Sequence, residues 1–122
     1  FRFLEDIMNT KLTEQHVEAL GRPIMENILE AHVKSNYKQL TMHFTDEMKS
    51  GLSIKKFEEA INCDLGQLGE VTSTTYLGYL AKSKSFQLLW KVKYEKGSED
   101  VLWQMYLTDL NENAQVGGLW FG

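Results

Sequence analysis

Cysteine and proline are nearly missing from this chain of 122 residues: Cys63 and Pro23 each stand alone. A single thiol excludes an intramolecular disulfide and cannot supply a cage of cysteine ligands for a metal. No apolar run approaches the roughly 20 residues that a membrane-crossing helix needs, so no membrane span is expected. Basic charge is also scarce, with 13 Lys and Arg against 17 Asp and Glu and a net charge of -4. Neutralising phosphates requires a basic surface, so no nucleic-acid partner is expected. His16, His32 and His43 fall at no HExxH or related spacing, and no metal or cofactor is expected. There is no GxSxG, no P-loop and no dinucleotide glycine pattern; Gly117-Gly118 is an isolated pair. The chain opens on Phe1 rather than Met, which fits either signal removal or trimming. Cytoplasm and export are both left open.

What is present suffices for one folded domain. A chain of this length buries about two thirds of its unfolded surface, and 43% hydrophobic residues supply that core without staples. Residues 1–12 read as an N-terminal extension, with Leu4, Ile7, Met8 and Leu12 at the spacing of a short amphipathic helix. Residues 13–122 read as a single domain. Thr13 is an expected N-cap, and Val17, Leu20, Ile24, Ile28 and Ala31 trace one apolar stripe widened by Met25 and Leu29. Gly21 and Pro23 interrupt it. Because the stripe keeps its phase across them, one kinked helix from Thr13 to Ser35 is favoured over a break near Gly21 with a restart at Pro23.

Tyr37, Leu40, Phe44 and Met48 form a further short stripe, with Thr45-Asp46 as a cap and Gly51 as a stop. Ser53 reads as the N-cap of another helix that buries Ile54, Phe57, Ile61, Leu65 and Leu68 before Gly66 and Gly69. The period then changes. Residues 70–81 are rich in Val, Thr and Tyr. Phe86, Leu88, Trp90, Val92 and Tyr94 alternate with a mostly polar row, the pattern of a half-buried strand. Gly97-Ser98 reads as a two-residue turn, Val101 to Leu107 as a third strand, Asn111 to Asn113 as a turn and Gln115 to Phe121 as a fourth strand. Short connections make these an antiparallel meander. The fold class is therefore α+β, with N-terminal helices packed on a curved four-stranded antiparallel sheet.

This layout, with Asn36-Tyr37-Lys38-Gln39-Leu40, Phe44-Thr45-Asp46-Glu47-Met48-Lys49, Leu52-Ser53 and a closing Gly118-Leu119-Trp120-Phe121, resembles the nuclear transport factor 2-like superfamily, the cystatin-like cone. It looks closest to small bacterial members, over about residues 13–122. The resemblance implies a cone-shaped half-barrel with a pocket at its open end. It also implies a choice among isomerases, dehydratases and non-catalytic binding or dimerisation modules, which fold alone does not make. Members resembling ketosteroid isomerase use a pocket carboxylate, yet the inward row from Phe86 to Tyr94 carries no acid.

Asp109 continues the alternation of Val101, Trp103, Met105 and Leu107. At an apolar pocket rim its pKa would rise toward that of a general base; its plainer reading is a turn residue. His32 sits at the edge of the helical stripe, as a cavity acid, base or donor, or as a flank residue making one hydrogen bond. Tyr37, Tyr76, Trp90, Trp103, Met105 and Trp120 can line a pocket for a flat apolar molecule, or fill a core, as is expected of Trp90 in particular. Cys63, beside Ile61 and Leu65, reads as a buried inert thiol.

The favoured function is a non-catalytic module that binds a small apolar or amphipathic ligand, or a protein partner, in the cone. The alternatives are a proton-transfer enzyme with Asp109 as base and Tyr76 or His32 as polariser, and a purely structural dimerisation domain with a filled cavity. A homodimer through the outer sheet face is expected from Leu89, Leu102 and Tyr106.

Overall fold

A computed structural model describes residues 2–60 and 67–122, with side chains described for 13–59 and 67–122. Helix α1 spans Arg2–Val33 without interruption. Residues 2–12 are therefore backbone-continuous with the domain's first helix, and Thr13 lies inside that helix rather than capping it. Neither glycine nor proline separates the two segments, so nothing in the backbone stops propagation there. Pro23 also lies within α1 and is exposed. A proline inside a helix costs about 3 kcal/mol. Val17, Met25, Ile28, Leu29 and Ala31 are buried on the two sides of it. At roughly 1.5–3 kcal/mol for each large apolar side chain, that burial outweighs the break.

Gly21 has a different role from the helix stop that its residue type suggests. A Cβ at this position would overlap the Leu88 side chain and come to 3.4 Å from the Trp90 ring. The bare backbone lets α1 lie directly against the sheet. At its end α1 closes with Ser35 in the left-handed region (φ 55°). Asn36 N donates to Ala31 O at 2.8 Å and Ser35 N to His32 O at 3.3 Å, a paired closure that satisfies the last carbonyls.

Three short helices follow: α2 (Tyr37–Leu40), α3 (Asp46–Gly51) and α4 (Ile54–Ala60). Each begins on a side-chain cap. Asn36 Oδ1 accepts from Gln39 N at 3.0 Å, Thr45 Oγ1 from Met48 N at 3.1 Å and Ser53 Oγ from Lys56 N at 3.1 Å. Within α4, Phe57 is buried but Ile54 is exposed. Ile54, the first helical residue after the cap, does not join the buried face. Leu68 is half-buried against the core, while Ile61 and Leu65 lie outside the described residues together with Cys63 and Gly66.

The sheet has strands β1 (Val71–Ala81), β2 (Phe86–Tyr94), β3 (Val101–Leu107) and β4 (Val116–Phe121) in the order β1-β2-β3-β4, all antiparallel. It is open, not closed into a barrel. Register shifts at Val71/Ser73, Tyr76/Gly78 and Tyr106/Leu107 bend it. Leu88, Trp90, Val92 and Tyr94 of β2 and Trp103, Met105 and Leu107 of β3 are buried on the face that the helices cover. The β2–β3 connection corrects the two-residue turn. It runs through residues 95–100, and Gly97 lacks the positive φ that a Gly-first turn requires. Instead Glu95 N donates to Glu70 O and Lys96 N to Leu68 O, both at 2.9 Å, which draws the chain toward the start of β1. Among the described residues no helix is long and apolar enough to cross a membrane.

Candidate functional site

The helix-covered face of the sheet has two unlike halves. Under α1, packing is tight. Gly21 rests on Leu88, Trp90 and Met105, and the Arg22 guanidinium lies 5.2 Å above the Trp90 ring. Arg22 is held there by Glu18 at 3.0 Å and by the Thr74 carbonyl at 3.2 Å. Tyr76 closes the edge of this half. Its hydroxyl donates to Glu14 at 2.6 Å and its ring meets Trp90 edge-on at 5.1 Å. Burial, reinforced by the bond to the Glu14 carboxylate, pushes the Tyr76 phenol far above its ordinary pKa.

Past Val33 no long helix among the described residues continues the roof. Helices α2, α3 and α4, of 4, 6 and 7 residues, arch over β3 and β4 instead. They leave a cavity of about 750 Å³. Leu40, Met48, Leu52 and Phe57 form its helical wall, and Trp103, Leu107, Leu119 and Phe121 its sheet wall. Trp103 packs on Phe121 with ring centroids 4.9 Å apart. The start of β4 is pinned to the loop before α3, with Val116 N donating to His43 O at 2.7 Å and Thr45 N to Val116 O at 3.0 Å. The opening extends around the β4 edge, where Gly118 and Trp120 face the opposite side from Leu119 and Phe121. Among the described residues, Glu47 and Lys84 are the charged side chains of the lining, and both are exposed.

His32 lines the cavity from the last turn of α1 and is only 5% exposed. Its ring sits between Trp103 (centroids 5.9 Å apart) and Tyr94 (6.2 Å, edge-on). Its Nε2 is buried and has no hydrogen-bond partner in the protein. Burial lowers the His32 pKa, so the imidazole is neutral near pH 7. Between the two neighbouring polar groups, Trp103 Nε1 donates to the Tyr94 hydroxyl at 3.1 Å. Burial pushes Tyr94 up to about 12, against the opposing effect of that hydrogen bond.

Of the residues singled out from the sequence, His32 and Trp103 meet at this cavity, and Trp120 borders only the part of its opening that wraps around the β4 edge onto the outer face. Tyr37 stands behind the wall, its ring 5.8 Å from that of Phe57 and its hydroxyl donating to Leu52 O. Trp90 and Met105 are fully buried under α1, and Tyr76 seals the far edge. None of these four is a lining residue. Asp109 does not reach the cavity either. It lies beyond the end of β3, exposed, with Oδ1 accepting from Leu110 N at 2.7 Å. The alternation along β3 stops at Leu107, because the chain leaves the sheet for the turn there, and the carboxylate stays in water. Met48, Leu52, Phe57, Leu119 and Phe121 were legible as apolar positions but not as cavity walls. Periodicity marks the face a residue occupies; it is silent on whether the opposing face fills the space.

Compared with known proteins, the chain matches no family model, no curated protein and no solved structure.

Proposed function

We propose that this domain is a non-catalytic binding module of the nuclear transport factor 2-like kind, whose cavity holds a small apolar or amphipathic molecule. The carrying observation is an open cavity of about 750 Å³ with apolar walls and one buried histidine lacking a partner. That volume lies in the range of pockets that enclose small molecules, and such pockets combine apolar walls with a few polar groups. The order of the elements and the open antiparallel meander support the superfamily reading. The proton-transfer alternative has less support. It needs a base within reach of a bound substrate. Asp109 is in water, and Glu47 is the one carboxylate among the described lining residues. The test is titration with the neutral fluorophore N-phenyl-1-naphthylamine. Saturable enhancement with micromolar affinity is expected, falling at least tenfold in Leu119→Trp, which fills the cavity. No saturable binding by the wild-type chain would sink the reading.

A second observation favours a homodimer through the outer sheet face. Leu80, Leu102 and Trp120 are exposed there at 49%, 37% and 65%, with Leu89 and Tyr106 between them. A band of this kind across several strands marks an interaction surface. Sedimentation velocity at micromolar concentration is expected to give twice the chain mass, and Leu102→Glu to give a monomer. A wild-type monomer at that concentration would count against the dimer.

A further inference from the structure

Two side-chain atoms among the described residues are buried without a hydrogen-bond partner: Trp90 Nε1 and His32 Nε2. They differ in setting. Trp90 is enclosed by Arg22, Tyr76 and Gly21, with no space beside it for a ligand. His32 belongs to the wall of the open cavity, with Nε2 itself just under that wall, so that a small turn of the ring brings it to a ligand oxygen. An unpaired buried polar atom is costly, so a missing partner at a cavity wall points to an atom that arrives with a ligand.

Resting on the binding reading above, we propose that the cavity takes an uncharged molecule with an apolar body and a hydroxyl or carbonyl oxygen that hydrogen-bonds His32 Nε2. Charge considerations select this class. An anion would bury its charge against apolar walls and a neutral imidazole, because desolvation disfavours the protonated ring. Lys84 lines the cavity as well, but it is exposed and keeps its ammonium hydrated. A cation would find Glu47 alone among the described lining carboxylates, and Glu47 is exposed. A purely apolar molecule would fit the walls and leave Nε2 unpaired. A hydroxyl suits either tautomer of the ring, giving its proton to a bare Nε2 or accepting one from Nε2–H; a carbonyl suits the second. The neighbouring polar groups do not compete, since Trp103 Nε1 is already paired with the Tyr94 hydroxyl and Tyr94 is not a lining residue.

Displacement of N-phenyl-1-naphthylamine by three compounds of one shape, naphthalene, 1-naphthol and 1-naphthoate, tests this near pH 7. The expected order is 1-naphthol tightest, by about fivefold over naphthalene, with 1-naphthoate weakest, since one added neutral hydrogen bond is worth about that factor. In His32→Phe the preference for 1-naphthol over naphthalene should vanish while naphthalene binding persists. Independently of any variant, 1-naphthol should shift the ring-nitrogen NMR signals of His32 and leave those of His16 and His43 unmoved. Equal affinity for naphthol and naphthalene in the wild type, or naphthoate binding tightest, overturns the proposal even though the reporter binds. Failure of the reporter itself to bind would instead overturn the cavity reading on which this one rests.

Discussion

Two regions of one sheet face meet different fates. Under α1 the sheet is sealed, with Gly21 allowing helix and sheet to touch and Trp90 filling the gap between them. Under α2, α3 and α4 the same face stays partly open, and a histidine is left in its wall. Both regions are built from large apolar side chains at the correct period, so residue type does not separate them. Helix length does. A 32-residue helix can lie along strands as a continuous cover, whereas α2 and α3, of 4 and 6 residues and joined by turns, approach at their ends and leave space between them.

The sharpest way to break this comparison is to truncate one tryptophan in each region. Trp90→Ala should cost about 3–5 kcal/mol, because the tight half cannot collapse around the void. Trp103→Ala should cost at least about 1 kcal/mol less, since Trp103 already borders empty space and truncation enlarges an existing cavity. Urea melts of the two variants check this, and equal costs would show that the two halves are packed alike. Next in size is Gly21→Leu, expected to destabilise by about 1–3 kcal/mol through overpacking against Leu88 and Trp90. On an exposed helix face the same change would stabilise by up to about 1 kcal/mol, so the sign of the thermal shift decides how close the contact is.

The smallest effect concerns His32. Its folded-state pKa lies below the ordinary value of 6.5, so the unfolded chain takes up a proton there before the folded chain does. Its contribution to stability is present in full above about pH 6.5. It is lost as pH falls from there through the lower folded value. Groups facing it from neighbouring elements are Tyr94 and Trp103, neither of which carries charge in this range. His32→Phe should flatten the decline in stability between about pH 6.5 and 5 and raise stability by about 1 kcal/mol at neutral pH, by removing an unpaired buried nitrogen. An unchanged slope in chemical denaturation across that interval would mean that the imidazole is hydrated when folded.

Much of the architecture was readable beforehand. The change of period near Gly69 located the boundary between helices and strands, and Phe86–Tyr94 was bounded correctly because alternation of large apolar and polar residues has few competing explanations. Thr45 and Ser53 were recognisable as caps from their hydroxyls. Thr13 was misleading for the same reason, since a hydroxyl residue before an acid looks like a cap whether or not the helix has already begun. Gly97 misled through its freedom, whereas at Gly21 the in-phase apolar stripe had favoured the continuous helix that is seen. A glycine permits a break or a tight turn but does not require one, and here close approach and a wider loop were chosen. The cavity was only partly visible. His32 and Trp103 meet there and Trp120 borders its opening from the outer face, while Asp109, Trp90, Met105, Tyr76 and Tyr37 do not line it.

By itself the sequence determined the kinds of element, their order and the face of each that turns inward, because these follow from local spacing and from side-chain periods of 3.6 and 2. Only the tertiary structure decided which inward faces touch and which stand apart. Contact depends on where long-range packing places each helix over the bent sheet, and residues such as Trp90 and Trp103, two positions of the same inward face, carry no local mark of that outcome.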